Sequence, residues 1–194
     1  MIIGLTGTFA AGKGTVAENL IGRGFQYYSL SDELRFLLRQ NGIMPTRDNL
    51  IKAGNQLRAR NGSGFLAELV IKRLKGSPSV SNSIVDSIRN VGEIATLRQL
   101  KDFFLAAVDA RVDIRYERAR KRASVRDPKS FSEFLVQQKR EMLGKKNEQQ
   151  LAACMKEADF IITNDGDFKK LYKQIDKVIE DAKTKVAASA AAKK

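Results

Sequence analysis

The densest chemistry in the chain sits at Gly7-Thr-Phe-Ala-Ala-Gly12-Lys13-Gly14-Thr15. Glycines let successive backbone N–H groups converge on phosphate oxygens, and a helix opening directly after them adds partial positive charge. Lys13 is placed to reach the β- and γ-phosphates of a nucleotide. Gly7, Ala10, Ala11, Gly12, Lys13, Gly14 and Thr15 are therefore the candidate donor-binding residues. The pattern is G-x-x-x-x-G-K-[ST] with Gly14 interposed before the hydroxyl. Either Thr15 meets a Mg²⁺ ion, or the ion is held through water. The bland alternative is a Gly-rich turn with an incidental lysine. A short apolar run before the motif and a helical stretch after it argue against that.

Four further stretches carry groups that phosphate chemistry needs. In Ser29-Leu-Ser-Asp32-Glu-Leu-Arg35, Asp32 is a candidate catalytic and metal-orienting carboxylate, and Arg35 a candidate for the acceptor's anionic group. A first-turn helix acid and a solvated arginine are the competing readings. In Ile84-Val-Asp86-Ser-Ile-Arg89-Asn90, an Asp ending an apolar strand is placed to hold Mg²⁺, and Arg89 to fork onto a phosphate. An internal Asp86–Arg89 ion pair is the alternative. In residues 115–126, six bases against Glu117 give +5, with Arg115, Arg118 and Arg122 on one helical face and Arg126 in the exit loop. Arg118, Arg122 and Arg126 are candidates to neutralise a moving phosphoryl group from a closing loop. A solvated basic helix or a nucleic-acid surface would use the same charge, but only Tyr116 stands near for base stacking. In Ala158-Asp-Phe-Ile-Ile-Thr-Asn164-Asp165-Gly166, Asn164 is a candidate for the purine edge and Gly166 for close backbone approach; an ordinary capped turn is the alternative. Arg58 is a candidate for the acceptor phosphate.

These groups need a frame that brings them together. Residues 2–6, 25–28, 83–86, 103–108 and 160–163 read as short strands. Between them lie helical stretches at 15–21, from Ser31 as N-cap, at 48–60, 65–75, 113–122, 131–143 and 168–182, with a turn at 76–79. Such alternation predicts an α/β fold, a parallel sheet with helices on both faces and the strand ends facing a ligand crevice. The 194 residues, 43% of them hydrophobic, suit one domain with a small lid. Residues 183–194, mostly Ala, Lys and Ser, read as a frayed or disordered tail.

Composition excludes several chemistries. With no His, there is no His base, no His-ligated zinc and no Ser-His-Asp triad. One cysteine, Cys154, allows no intrachain disulfide and no cysteine metal cluster, which suits a reducing compartment. No apolar run approaches a membrane span and the start lacks signal-peptide character, so a cytoplasmic protein with no membrane partner is expected. The net charge of +13 argues for an anionic partner.

Taken together, GxxxxGKGT, SLSDELR, LIKAGNQLR, IVDSIRN, AVDARVDIRYERARKR and ADFIITNDG resemble the P-loop kinase group that holds nucleoside monophosphate kinases and dephospho-CoA kinases, over residues 1 to about 180. The resemblance implies a five-stranded parallel sheet of order 2-3-1-4-5, a helical acceptor flap at about 31–75 and a short lid at about 118–130. It implies ATP and Mg²⁺, and transfer of the γ-phosphate to a small phosphorylated acceptor. Asp32 falls where dephospho-CoA kinases keep a catalytic Asp, Arg122 near their lid arginine, and Asn164–Gly166 at their adenine-contacting turn. The GKGT ending and Phe9-Ala10-Ala11 depart from the patterns usual in dephospho-CoA and adenylate kinases. A nucleoside or deoxynucleoside monophosphate is the expected acceptor, in a monomer or homodimer. Dephospho-CoA kinase chemistry and a nucleotide-binding regulator or nucleic-acid-associated ATPase are the alternatives.

Overall fold

The computed structural model describes residues 1–76, 82–122 and 128–191. Its centre is β1 (Ile2–Gly7), flanked by β3 (Ser83–Asp86) and β4 (Phe103–Asp109), with β2 (Gln26–Ser29) and β5 (Phe160–Thr163) outside them. All pairings are parallel, and the order is β2-β3-β1-β4-β5, as the resemblance implied. Gly7 pairs with Val108, Asp86 with Ser29 and Asp109 with Thr163, so the C-terminal strand ends share one rim.

Alternation along the strands divides the core between the two faces of the sheet. Ile3, Leu5, Phe104, Ala106 and Val108 face α1 (Lys13–Gly22) and α9 (Phe168–Ala191), through Leu20, Leu171 and Ile175. Val85, Phe103 and Leu105 face the other way. There they meet α2 (Leu30–Gln40), α4 (Phe65–Gly76), α5 (Val91–Leu97) and α8 (Leu151–Lys156), through Leu34, Leu66, Ile94 and Cys154. Outside these layers, α3 (Arg47–Asn61) completes the flap, and α6 (Val112–Arg122) and α7 (Phe131–Met142) flank the rim.

Three expectations change. Helix α2 starts at Leu30 with Ser29 in the N-cap position, and Ser31 turns its hydroxyl to Ser87 and Arg35 instead of capping. Two short helices, α5 and α8, occupy stretches without an expected element. Helix α9 continues to Ala191, through most of the stretch expected to fray, and residues 192–194 lie outside the described residues. Extending a formed helix avoids the nucleation cost, and Lys185 anchors the extension by donating to Asp159 Oδ1 at 2.9 Å. Residues 77–79 of the expected turn lie outside the described residues, as do Arg126 and part of the expected lid. Among the described residues, no helix is long and apolar enough to cross a membrane.

Candidate active site

At the end of β1 the chain turns through the phosphate loop by unusual backbone conformations. Ala10 has φ +61° and Gly12 φ +101°, left-handed values that let the amides curl inward before α1 begins. A Cβ on Gly12 would also stand 2.3 Å from Asn164 Nδ2. Helix α1 then opens at Lys13 without a side-chain cap, so its first amides remain available to an anion. Lys13 Nζ donates to the carbonyls of Gly7 and Thr8 at 2.8 and 2.9 Å, closing the loop on itself. Burial, followed by the charge of Arg89, lowers the Lys13 ammonium to about 8.

Helix α6 buttresses this loop. Arg115 Nη1 donates to Phe9 O and Arg118 Nη1 to Ala11 O, both at 3.3 Å, and the Arg122 guanidinium lies 5.3 Å from the Phe9 ring centroid. The basic face read from the sequence is thus directed at the phosphate loop. Arg115 is buried, and desolvation lowers its guanidinium despite Asp109 nearby.

One cavity of 780 Å³ joins the loop to the flap. Ala10, Ala11, Gly12, Lys13, Gly14, Thr15, Arg35, Arg58, Asp86, Arg89, Arg118, Arg122, Asn164 and Gly166 all line it, so most sequence candidates converge on one space. Gly7 stands behind the loop, where a Cβ would collide with Val108 O at 2.0 Å. The apolar wall is made by Leu30, Leu34, Leu50, Ile51 and Leu66.

Three candidates have different surroundings from those expected. Asp32 is outside the lining; its carboxylate, 56% exposed, accepts from Arg35 Nη1 at 2.6 Å. Leu30, Ser31, Leu34 and Arg35 take the cavity-facing stripe of α2, and Asp32 is off that stripe. Arg58 is 4% exposed, and its Nε and Nη2 both bond Glu93 Oε1, at 2.9 and 2.8 Å. It braces the flap, and its charge is already matched. Asn164 Nδ2 donates to Ala11 O at 2.8 Å, so this half of the amide braces the phosphate loop and is not spare for a purine edge.

Of the carboxylates that line the cavity, Glu18, Asp86 and Asp167, Asp86 is the one singled out in the sequence. Its Oδ2 accepts from Tyr27 OH at 2.9 Å, and its Oδ1 is buried without a hydrogen-bond partner. Next to it, Ser87 holds φ +67°, a strained conformation for a side-chain residue, with its hydroxyl 3.1 Å from Ser31 Oγ. An unpaired carboxylate oxygen and the Thr15 hydroxyl fit Mg²⁺, which takes one or two protein oxygens and completes its shell with phosphates and water. Among the described residues no cluster of three acidic or cysteine groups exists, so such an ion would depend on the donor's phosphates.

Several site residues were missed in the sequence. Arg47 lines the cavity with its guanidinium 4.3 Å from the Phe9 ring centroid. It pairs with Glu141, buried near the end of α7. Glu93 carried a legible signal, since Asn90-x-x-Glu93 is a capping-box spacing. Phe168, 64% exposed, lines the cavity beside Gly166.

Comparison with known proteins agrees with this geometry. A family model described as an AAA domain matches residues 3–134. The UPF0200 protein of Pyrococcus abyssi is 31% identical over 184 residues, covering 92% of this chain and 95% of its own. A shikimate kinase from Bacteroides thetaiotaomicron superposes with a TM-score of 0.54 at 15% identity, over 93% of this chain and 97% of that one. A gluconokinase from Sinorhizobium meliloti gives 0.55 at 13%, over 94% and 93%. Likeness at such identities is likeness of fold. The end-to-end similarity to the Pyrococcus relative and the AAA-domain match converge with the loop and sheet order: the chain belongs to the UPF0200 family, with a P-loop kinase-like fold.

Proposed function

We propose that the protein transfers the γ-phosphoryl group of ATP to a small phosphorylated acceptor, a nucleoside or deoxynucleoside monophosphate. One observation carries the reading: a single cavity joins the phosphate loop to Arg35 and Arg89, over an apolar wall of Leu34, Leu50, Ile51 and Leu66 that suits a flat base. The loop amides and Lys13 hold the donor's β- and γ-phosphates. Lys13 exchanges its two carbonyl partners for phosphate oxygens, a trade that brings a buried cation its counter-charge. Arg89 and Arg35 hold the acceptor's phosphate. An acceptor oxygen attacks the γ-phosphorus, the bond to the β–γ bridging oxygen breaks, and ADP leaves. Arg118 and Arg122 stand over the loop to neutralise charge in transit, with Arg126 proposed to join them. Mg²⁺, held by Thr15 and Asp86, would neutralise charge on the donor's phosphates. Positioning and electrostatics suffice, because an anionic phosphate acceptor has no proton to surrender.

The orphaned Asp86 Oδ1 favours a second reading, a hydroxyl acceptor such as the ribose of a dephospho-CoA-like molecule, with this carboxylate as the base. The test is ADP release from ATP and Mg²⁺ across nucleoside monophosphates, deoxynucleoside monophosphates and dephospho-CoA. A monophosphate that multiplies ADP release and becomes a diphosphate supports the first reading. Turnover of dephospho-CoA alone supports the second. ATP hydrolysis indifferent to every acceptor, with tight RNA or DNA binding at physiological salt, would leave the nucleic-acid-associated ATPase.

A further inference from the structure

A smaller cavity of 360 Å³ lies between α3 and α7, lined by Asp48, Ile51, Ser132, Val136 and Arg140 among others. Arg47 and Ile51 line both cavities, and Glu141 lines the smaller one. The Arg47–Glu141 ion pair therefore stands in the partition between them.

Neither partner is placed to suit its own helix. Arg47 is the first residue of α3, where the helix dipole disfavours a cation, and Glu141 is one residue from the end of α7, where it disfavours an anion. Glu141 is 3% exposed, a costly place for a carboxylate. Burial raises its pKa, yet the charges of Arg89 and Arg47 and hydrogen bonds from Arg47 and Gln137 keep it below the usual carboxylate value. It is an anion set among the cations of the site. Arg47, in turn, is pressed against Phe9 of the phosphate loop, and its Nε is buried without a hydrogen-bond partner. The pair thus ties the flap to α7 across the loop that holds the donor.

We infer that Glu141 is a positioning residue for the acceptor: it fixes Arg47 over Phe9 so that the Arg47 guanidinium and Arg89 together meet the acceptor's phosphate. The inference rests on the reading given under Proposed function. It adds Arg47 to the acceptor site and gives α7 a part in recognition. The rival account is an anion that occupies the acceptor phosphate's place and must be displaced.

The experiment compares wild type, Glu141→Gln and Glu141→Asp by steady-state kinetics and by calorimetric binding of the monophosphate panel, with thermal melts alongside. Glu141→Gln should raise the acceptor KM about tenfold or more, with the ATP KM and kcat changed less than about threefold. Glu141→Asp, which keeps the charge on a shorter arm, should recover part of the loss. If Glu141→Gln does not fold, the same selective rise in acceptor KM is required of Glu141→Asp. An unchanged acceptor KM, an equal rise for both substrates, or a lower acceptor KM overturns the inference, the last in favour of the displaced anion. If wild type binds no monophosphate, the functional reading fails and this inference with it. If wild type binds and both variants match it, this inference alone fails.

Discussion

The two halves of the cavity are built from different materials. The half proposed for the donor is largely backbone: loop amides, the open end of α1, and glycines whose φ or lack of a Cβ admits the turn, with Lys13 added. The half proposed for the acceptor is side chains, and two of its arginines are held by carboxylates from elements far away in sequence: Arg58 by Glu93, Arg47 by Glu141. A backbone site is fixed by a short contiguous motif. A side-chain site depends on the whole fold, because arginines such as Arg47 and Arg58 need partners that only the folded chain supplies. The two should therefore fail differently when cut.

The largest effect belongs to the donor half. Lys13→Ala removes the one loop cation that is to follow the γ-phosphate, and phosphoryl transfer should fall by about 10³-fold or more with the melting temperature little changed. Gly12→Ala should do equal damage by another route, since the new methyl meets Asn164 Nδ2 at 2.3 Å in a backbone conformation that alanine resists. ADP release and a thermal melt on each variant check both. Full transfer in Lys13→Ala would end the donor assignment.

The acceptor half should break by unfolding before it breaks by chemistry. Arg58→Ala leaves the fully buried Glu93 without its counter-charge, which should cost about 3–5 kcal/mol of stability in a denaturant titration. Replacing both partners with apolar residues should recover little of that. Glu93 Oε2 also accepts the amides of Arg89 and Asn90, at 2.8 and 3.0 Å, and those donors would be stranded. A double variant as stable as wild type would show that the capping role is dispensable.

This contrast also explains what could be read in advance. The strands, the phosphate loop and the convergence of Asp86, Arg89, Arg118 and Arg122 were visible because each lies in or beside a local pattern, whereas the strand order came only from the family resemblance. Asp32 misled because its helix position was read without its rotation: one residue on from Ser31 turns the side chain off the cavity stripe. Arg58 misled because an arginine looks the same in sequence whether it awaits a phosphate or already holds a buried carboxylate. Arg47 and Glu141 gave no signal, being 94 residues apart and each at the helix end that local electrostatics disfavours. The tail misled because composition does not reveal that Lys185 reaches Asp159.

A smaller effect follows from the Lys13 ammonium, lowered by burial to about 8. In the free protein it loses its proton as pH rises through that value. A bound phosphate favours the charged form and raises the pKa, so ATP binding takes up a proton above about pH 8. Affinity should be flat below pH 7 and weaken above 8, by up to about tenfold per unit. Calorimetry in buffers of differing ionisation enthalpy reads the uptake directly. Lys13→Arg, charged throughout, should flatten the profile whatever its affinity.

The mildest change tests whether the donor half has a side-chain component for the base. Phe168 opens α9 beside Gly166, is largely exposed, lines the cavity, and has Tyr172 at 5.9 Å between ring centroids. With Asn164 engaged by Ala11 O, its Nδ2 is not spare for a purine edge, and stacking on this ring is the means at hand for holding the donor's base. Stacking reads a π-face and not a pattern of donors and acceptors, so it tolerates different bases. Phe168→Ala should then weaken ATP binding by about 1–3 kcal/mol, Phe168→Tyr should not, and ATP and GTP should suffer alike. A loss confined to ATP would mean that a hydrogen bond to the base accompanies the stack. No loss for either nucleotide would place the base elsewhere and leave the donor half a site for phosphates alone.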